Sequence, residues 1–297
     1  MSDADHPYRG PKRPGSSPPR GRGDSPLARP AAPPRPRLPA AQATPEPGDH
    51  RPPRRNDELR IYGYNACRAA FASRPADLRK VYLSEARIGA LREVLAWCVK
   101  HRLGYRVVDD ADLDKLAAST HHEGVIFEMR RGEAPTLDEL LPRLPEGPQL
   151  LLWLDGVGNP HNLGAVLRSA AHFGAAGVLV PADSGLTLSG AAYRVAEGGA
   201  EAVPVLRPAD TADALARLRA SGFTLAATLP RDACSIYATR LPARLVLAFG
   251  AEGGGMQPEL VEACSLRLGI PGSGRVESLN IANAAAVMLG EFWRQHH

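Results

Sequence analysis

Apolar and polar positions divide the chain into two stretches of alternating elements behind a polar leader. In the first, apolar spacing opens near Leu59 with a short strand or turn. A helix follows in YNACRAAFASR and is stopped by Pro75. RKVYLSE reads as a strand, and ARIGALREVLAWCVKHR as a helix with Leu91, Val94, Leu95 and Cys98 at helical spacing, ended before Gly104. YRVVDD, DADLDKLA and GVIFEMR then predict strand, short helix and strand, a compact α/β unit over 57–132. Residues 133–148, charged and proline-rich, read as a linker with one short helix.

From residue 149 the pattern changes. QLLLWLDGV is almost continuously apolar, as expected of a strand buried on both faces of a parallel sheet. Helices are predicted in NLGAVLRSAAHFG, SGAAYRVAEGGA, TADALARLRASG, PELVEAC and IANAAAVMLGEFW. They alternate with strands in GVLVP, AVPVLR, FTLAATLP, LVLAFG and SLRLGI. The expected fold class is α/β: a parallel-sheet domain over 149–297 with helices on both faces, preceded by a small α/β domain. In such sheets ligands bind beyond the carboxyl ends of the strands, and the polar and glycine clusters DGVGNPHN, ATLPRD, FGAEGGG and IPGSGRVESLN all fall there.

Composition sharpens this picture at the amino terminus. Residues 1–55 hold 15 of the 28 prolines and 11 of the 36 Lys and Arg against 5 of the 32 Asp and Glu. The net +4 therefore belongs to this segment, and the remainder, 25 basic against 27 acidic residues, is close to neutral. Residues 1–56 are expected to be disordered, able to meet a phosphate backbone without sequence preference or to serve as a plain solubilising leader. Cys67, Cys98, Cys234 and Cys264 are scattered singly, so neither a zinc site nor a disulfide framework is expected. They read as reduced, buried thiols of a cytoplasmic protein. No apolar signal-peptide core or membrane-length run is found in the sequence. His121 and His122 are adjacent and project differently, which favours a polar loop over a metal pair and leaves an RNA contact open.

The candidate chemistry is defined first by exclusion. Gly156 and Gly158 are followed by His161 where a dinucleotide fingerprint needs its third glycine. No phosphate-cradling G-x-x-x-x-G-K-[ST] and no G-x-S-x-G elbow occur, and loop carboxylates are too few for an obvious magnesium cluster. Backbone amides, small residues and apolar strand ends remain, a pocket suited to a purine nucleoside without a polyphosphate. The stretch Ile270–Asn283 is central: Pro271, Gly272, Ser273 and Gly274 interrupt a strand and a helix, and Ser278 and Asn280 stand at the helix mouth. Such residues serve as a cap, as ligand-holding groups, or as both.

Three segments together resemble the SpoU (TrmH) family of RNA ribose 2′-O-methyltransferases: NPHNLGAVLRSAAHFG with Asn162 and Arg168, LAFGAEGGGM with Glu252, and IPGSGRVESLNIANAAAVMLGEF with Ser278 and Asn280. Residues 59–130, with IYGYNAC and HHEGVIF, look like the family's substrate-binding domain. The resemblance implies a deep trefoil knot, bound S-adenosylmethionine, a homodimer, and an RNA substrate, rRNA ahead of tRNA. It also implies Asn162, Arg168, Glu252, Ser278 and Asn280 as the catalytic set, with Gly250, Ile270, Leu279 and Thr228 as cofactor contacts. No metal is implied, because a sulfonium methyl donor is already cationic. An idle RNA-binding or ribosome-assembly protein with the same fold is the alternative. Arg275, Glu277 and the run Gly253–Gly254–Gly255 depart from the family pattern without removing a catalytic position.

Overall fold

The computed structural model describes residues 58–251 and 253–297. The expected disorder of residues 1–56 lies outside the described residues, as does Glu252.

The first unit runs β1 (Glu58–Tyr62), α1 (Tyr64–Ser73), β2 (Leu78–Leu83), α2 (Arg92–His101), β3 (Gly104–Val107), α3 (Asp110–Ala117) and β4 (Val125–Arg130). Its sheet has the order β1-β4-β2-β3, antiparallel except for the β2–β3 pair. The opening residues, ambiguous in sequence between strand and turn, form β1 because β4 offers them a full antiparallel register from Glu58↔Arg130 to Tyr62↔Ile126. Leu59, Ile61, Val81, Leu83, Val125 and Phe127 pack on one face with α1 and α2. Tyr62, Tyr82 and Ile126 meet Leu113 of α3 on the other, as the two-residue period of a strand requires.

His122 is buried, which answers the question its sequence left open. Its Nδ1 accepts from the Gly124 amide at 2.9 Å, so the proton sits on Nε2 and is donated to Asp114 at 3.1 Å. It is a satisfied core histidine, while His121 is exposed.

The connecting stretch is anchored. Thr136 and Glu139 form a reciprocal capping box at α4 (Leu137–Leu140), and Leu137 is buried against the second sheet with Leu140, Leu141 and Leu144 around it.

The second sheet contains β5 (Gln149–Leu154), β6 (Gly177–Leu179), β7 (Val205–Leu206), β8 (Thr224–Thr228), β9 (Cys234–Ser235), β10 (Arg244–Phe249) and β11 (Leu266–Gly269). Their order is β7-β6-β5-β10-β8-β11-β9, parallel throughout. Between them run α5 (Pro160–His172), α6 (Gly190–Ala196), α7 (Gly199–Ala202), α8 (Thr211–Ala220), α9 (Pro258–Ala263) and, last, α10 (Ile281–His296). The apolar run of β5 splits by parity. Leu150, Leu152 and Leu154 face α5 and α10, whereas Leu151 and Trp153 face α8 and α9. β10 divides the same way, Leu245, Leu247 and Phe249 against Val246 and Ala248. Continuous hydrophobicity in these strands follows from cover on both faces.

Burial sets the thiols apart. It pushes Cys264 up to about 11 and raises Cys98 and Cys67 as well, so these groups stay protonated at neutral pH. Cys234, expected to be buried, is exposed, because β9 is a two-residue strand at the sheet's edge with little to cover it. A maleimide probe on the native protein should therefore label Cys234 rapidly and the other three only on unfolding. Peptide mapping of the adduct checks this.

Glu291 on α10 is buried beneath Arg294 and Gln295, at 2.7–2.8 Å. Gln295 in turn takes the Leu241 amide and donates to the Thr239 carbonyl. The hydrogen bond from Arg294, then that from Gln295, holds the Glu291 carboxyl down to about 2 from 4.5. A carboxyl depressed on folding stabilises the protein above its unfolded pKa, and that contribution is lost as pH falls through the folded value. The acid limb between about pH 4.5 and 2 should accordingly be shallower in Glu291→Gln, measured by urea unfolding at stepped pH.

Candidate active site

Three neighbouring strands carry the predicted residues to one edge of the sheet. Gly250 follows β10, Thr228 ends β8 and Ile270 follows β11. The pairs Ala248↔Ala227 and Leu268↔Thr228 bring those ends level. Ile270 is half-buried against the main core, and Leu279 is 44% exposed immediately before α10. The edge thus offers apolar side chains next to glycine-rich backbone.

Gly250 has a steric reason to lack a side chain. A Cβ there would lie 2.4 Å from the Gly255 carbonyl carbon and 2.5 Å from the Met256 nitrogen. The loop returns on itself through reciprocal Ala251–Gly255 backbone hydrogen bonds of 2.8 and 2.9 Å, with Gly253 and Gly255 at positive φ. Asp155, absent from the candidate residues above, steadies this loop. Buried at the end of β5, it accepts from the Gln257 amide at 2.7 Å. A lone acid closing the apolar run QLLLWL was the available signal.

The first and third motifs meet across 118 residues. Asn280 caps α10 by accepting from the Ala282 amide at 2.9 Å, and its Nδ2 donates to Asn162 Oδ1 at 3.1 Å. Asn162 does not cap its own helix. Asn159 does, accepting from His161 ahead of Pro160 at the first helical position. The side chain of Asn162, in the first turn of α5, meets α10, which packs beside α5 on the same sheet face. Ser278 and its neighbours from Pro271 onward are exposed. Glu277 pairs with Arg231 of the loop after β8 at 3.2 Å, joining two of the strand-end loops, and the Arg275 amide donates to Ser273 Oγ at 3.5 Å.

Arg168 stands six residues after Asn162, about 9 Å further along the helix axis. Its side chain is 60% exposed, and the guanidinium pairs with Glu197 at 3.1 Å. The structure thus joins Asn162 to Asn280 and gives Arg168 a different partner, Glu197, which no spacing in the sequence pointed to. Among the described residues no group of three His, Cys, Asp or Glu side chains could hold a metal ion.

Residues 149–290 match the SpoU rRNA Methylase family, and residues 60–135 match a family described as RNA 2′-O ribose methyltransferase substrate binding. The chain is 39% identical over 243 residues to an Escherichia coli protein named uncharacterized tRNA/rRNA methyltransferase YfiF, covering 82% of this chain and 70% of that one. It is 35% identical over 240 residues to the 23S rRNA (guanosine-2′-O-)-methyltransferase RlmB of Nitrosomonas europaea, covering 80% and 91%. The chain belongs to the SpoU rRNA methylase family. A crystal structure titled RNA 2′-O ribose methyltransferase matches the fold with a TM-score of 0.68 at 28% identity, over 80% of this chain and 89% of the other. The SpoU methyltransferase AviRb of Streptomyces viridochromogenes, solved with AdoMet, shares the fold at a TM-score of 0.68 and 22% identity, over 81% and 91%.

Proposed function

We propose that this SpoU-family chain is an S-adenosylmethionine-dependent RNA ribose 2′-O-methyltransferase acting on rRNA, with tRNA the second substrate class. The observation that carries this reading is the Asn162–Asn280 hydrogen bond, which draws the first and third motifs together at the strand ends. The residues present suit the cofactor. Gly250 lets the glycine-rich loop after β10 fold close against the strand end, and Ile270 and Leu279 supply apolar surface for an adenine, with Thr228 on the neighbouring strand. When bound, S-adenosylmethionine would supply a methyl group already activated by the sulfonium charge.

The chain's own residues then have to hold a ribose hydroxyl in line and ease the loss of its proton. Arg168 carries a planar guanidinium, a hydrogen-bond donor with no acceptor. Its role in this reading is to draw in the RNA phosphate and stabilise negative charge developing on the 2′-oxygen. Asn162 and Asn280 lock each other and orient the ribose. Ser278 contacts substrate from the exposed loop, and Glu252 completes the set by its place in the second motif.

In the same reading the chain divides into an RNA-binding domain over 57–132, a short connection, and a methyltransferase domain over 149–297 whose last helix passes through a trefoil knot. Exposed Val276 before α10 and Trp293 near its end leave apolar side chains open to a second copy, in keeping with a homodimer. No helix among the described residues is long and apolar enough to cross a membrane, and an enzyme of rRNA works in the cytoplasm. The deciding experiment is titration of the purified protein with S-adenosylmethionine, followed by methyl transfer to ribosomal RNA and mapping of ribose methylation in cells with and without the gene. Failure to bind the cofactor would leave the idle RNA-binding reading in its place.

A further inference from the structure

We propose that Glu197 is a positioning residue that holds the Arg168 guanidinium for methyl transfer, and that α6 and α7 fix this pair relative to the four-stranded unit. This rests on the reaction proposed above. The Arg168–Glu197 pair, 3.1 Å apart, joins the second half of α5 to the C-terminus of α6.

Local physics disfavours a glutamate at position 197. Its backbone is left-handed, φ 46° and ψ 44°, a conformation that suits glycine, and two glycines follow directly. Its charge sits at a helix C-terminus, where the aligned peptide dipoles repel an anion. The ion pair offers little stability in return, since the Arg168 and Glu197 side chains are 60% and 36% exposed. A residue that local preference opposes and stability does not require is explained by what it orients.

The backbone beneath the pair is held tightly. A Cβ on Gly199, at the start of α7, would lie 2.6 Å from the Leu167 carbonyl oxygen and 2.9 Å from Arg168 Cα. A Cβ on Gly164 of α5 would lie 2.5 Å from the Ala192 carbonyl oxygen of α6. Close glycine contacts thus set the distance between α5 and the segment that presents Glu197. The same segment grips the first unit. Arg194, one turn before Glu197, donates to the His121 carbonyl and to Glu123, both at 3.1 Å. Glu201 of α7 receives two hydrogen bonds from Arg74, at 2.9 and 3.0 Å. An RNA seated on the four-stranded unit would therefore find Arg168 at a defined offset.

The test uses the full chain with Glu197→Gln and Glu197→Gly. We expect the Arg168 side-chain Nε–H relaxation, read by nitrogen-edited NMR, to lose order in both variants. We expect kcat to fall on the order of 10–100-fold, while the dissociation constant for S-adenosylmethionine stays within about twofold, as befits a residue away from the cofactor edge. The melting temperature should hold in the glutamine variant and rise in the glycine variant, because glycine relieves the left-handed backbone. Unchanged Arg168 order, an unchanged kcat, or activity lost only in step with melting temperature would each overturn the proposal. Should the wild-type protein neither bind S-adenosylmethionine nor methylate RNA, the reaction itself is misread, and the arginine relaxation still accepts or rejects the pairing.

Discussion

Arg168→Ala should abolish measurable methyl transfer while leaving the affinity for S-adenosylmethionine nearly intact. The guanidinium is exposed and reaches Glu197 on α6, whereas the predicted cofactor contacts Gly250, Thr228 and Ile270 lie at the ends of β10, β8 and β11. Removing one preorganised group that stabilises developing negative charge typically lowers kcat about 10²–10³-fold, and the loss of phosphate attraction adds to this in kcat/KM. Stability should barely change, because an exposed ion pair contributes about 0–1 kcal/mol. Single-turnover transfer of a labelled methyl group, alongside calorimetric cofactor titration, separates the two effects. Equal loss of both would show that Arg168 belongs to the cofactor pocket instead.

Gly250→Ala should do the reverse and remove cofactor binding first. The added methyl would lie 2.4–2.6 Å from the backbone of Gly255 and Met256, with no flexible side chain able to give way. Either the loop from Ala251 to Met256 moves or the end of β10 does, and both alter the strand-end edge. Overpacking of this kind costs about 1–3 kcal/mol. If that falls on the loop, S-adenosylmethionine affinity drops by roughly 10–100-fold while the far-ultraviolet spectrum is kept. Wild-type affinity in Gly250→Ala would mean that the loop opens freely and that Gly250 does not shape the pocket.

Much of the fold was legible because its signals are local. The two-sided cover of β5, the glycine and proline stops, and Asn280 at the mouth of the last helix each show within a few residues. Illegible features had partners elsewhere in the chain. β1 is a strand because β4 pairs with it, and Cys234 is exposed because its strand forms the sheet's edge. The apparent linker is tied down because Leu137 finds the far core. His122 was readable only as a loop residue until Asp114 and the Gly124 amide supplied its hydrogen bonds.

The site divides along the same line. By itself the sequence determined which residue types stand at the strand ends, the order of the three motifs and the family resemblance, since these are properties of short segments. Tertiary structure decided that Asn162 spends its side chain on Asn280 and that Arg168 is held by Glu197. The reason is physical: a side chain's partner is set by the packing of helices distant in sequence. Here that packing is fixed by α5 lying against α6, α7 and α10, through contacts as small as the missing Cβ atoms of Gly164 and Gly199.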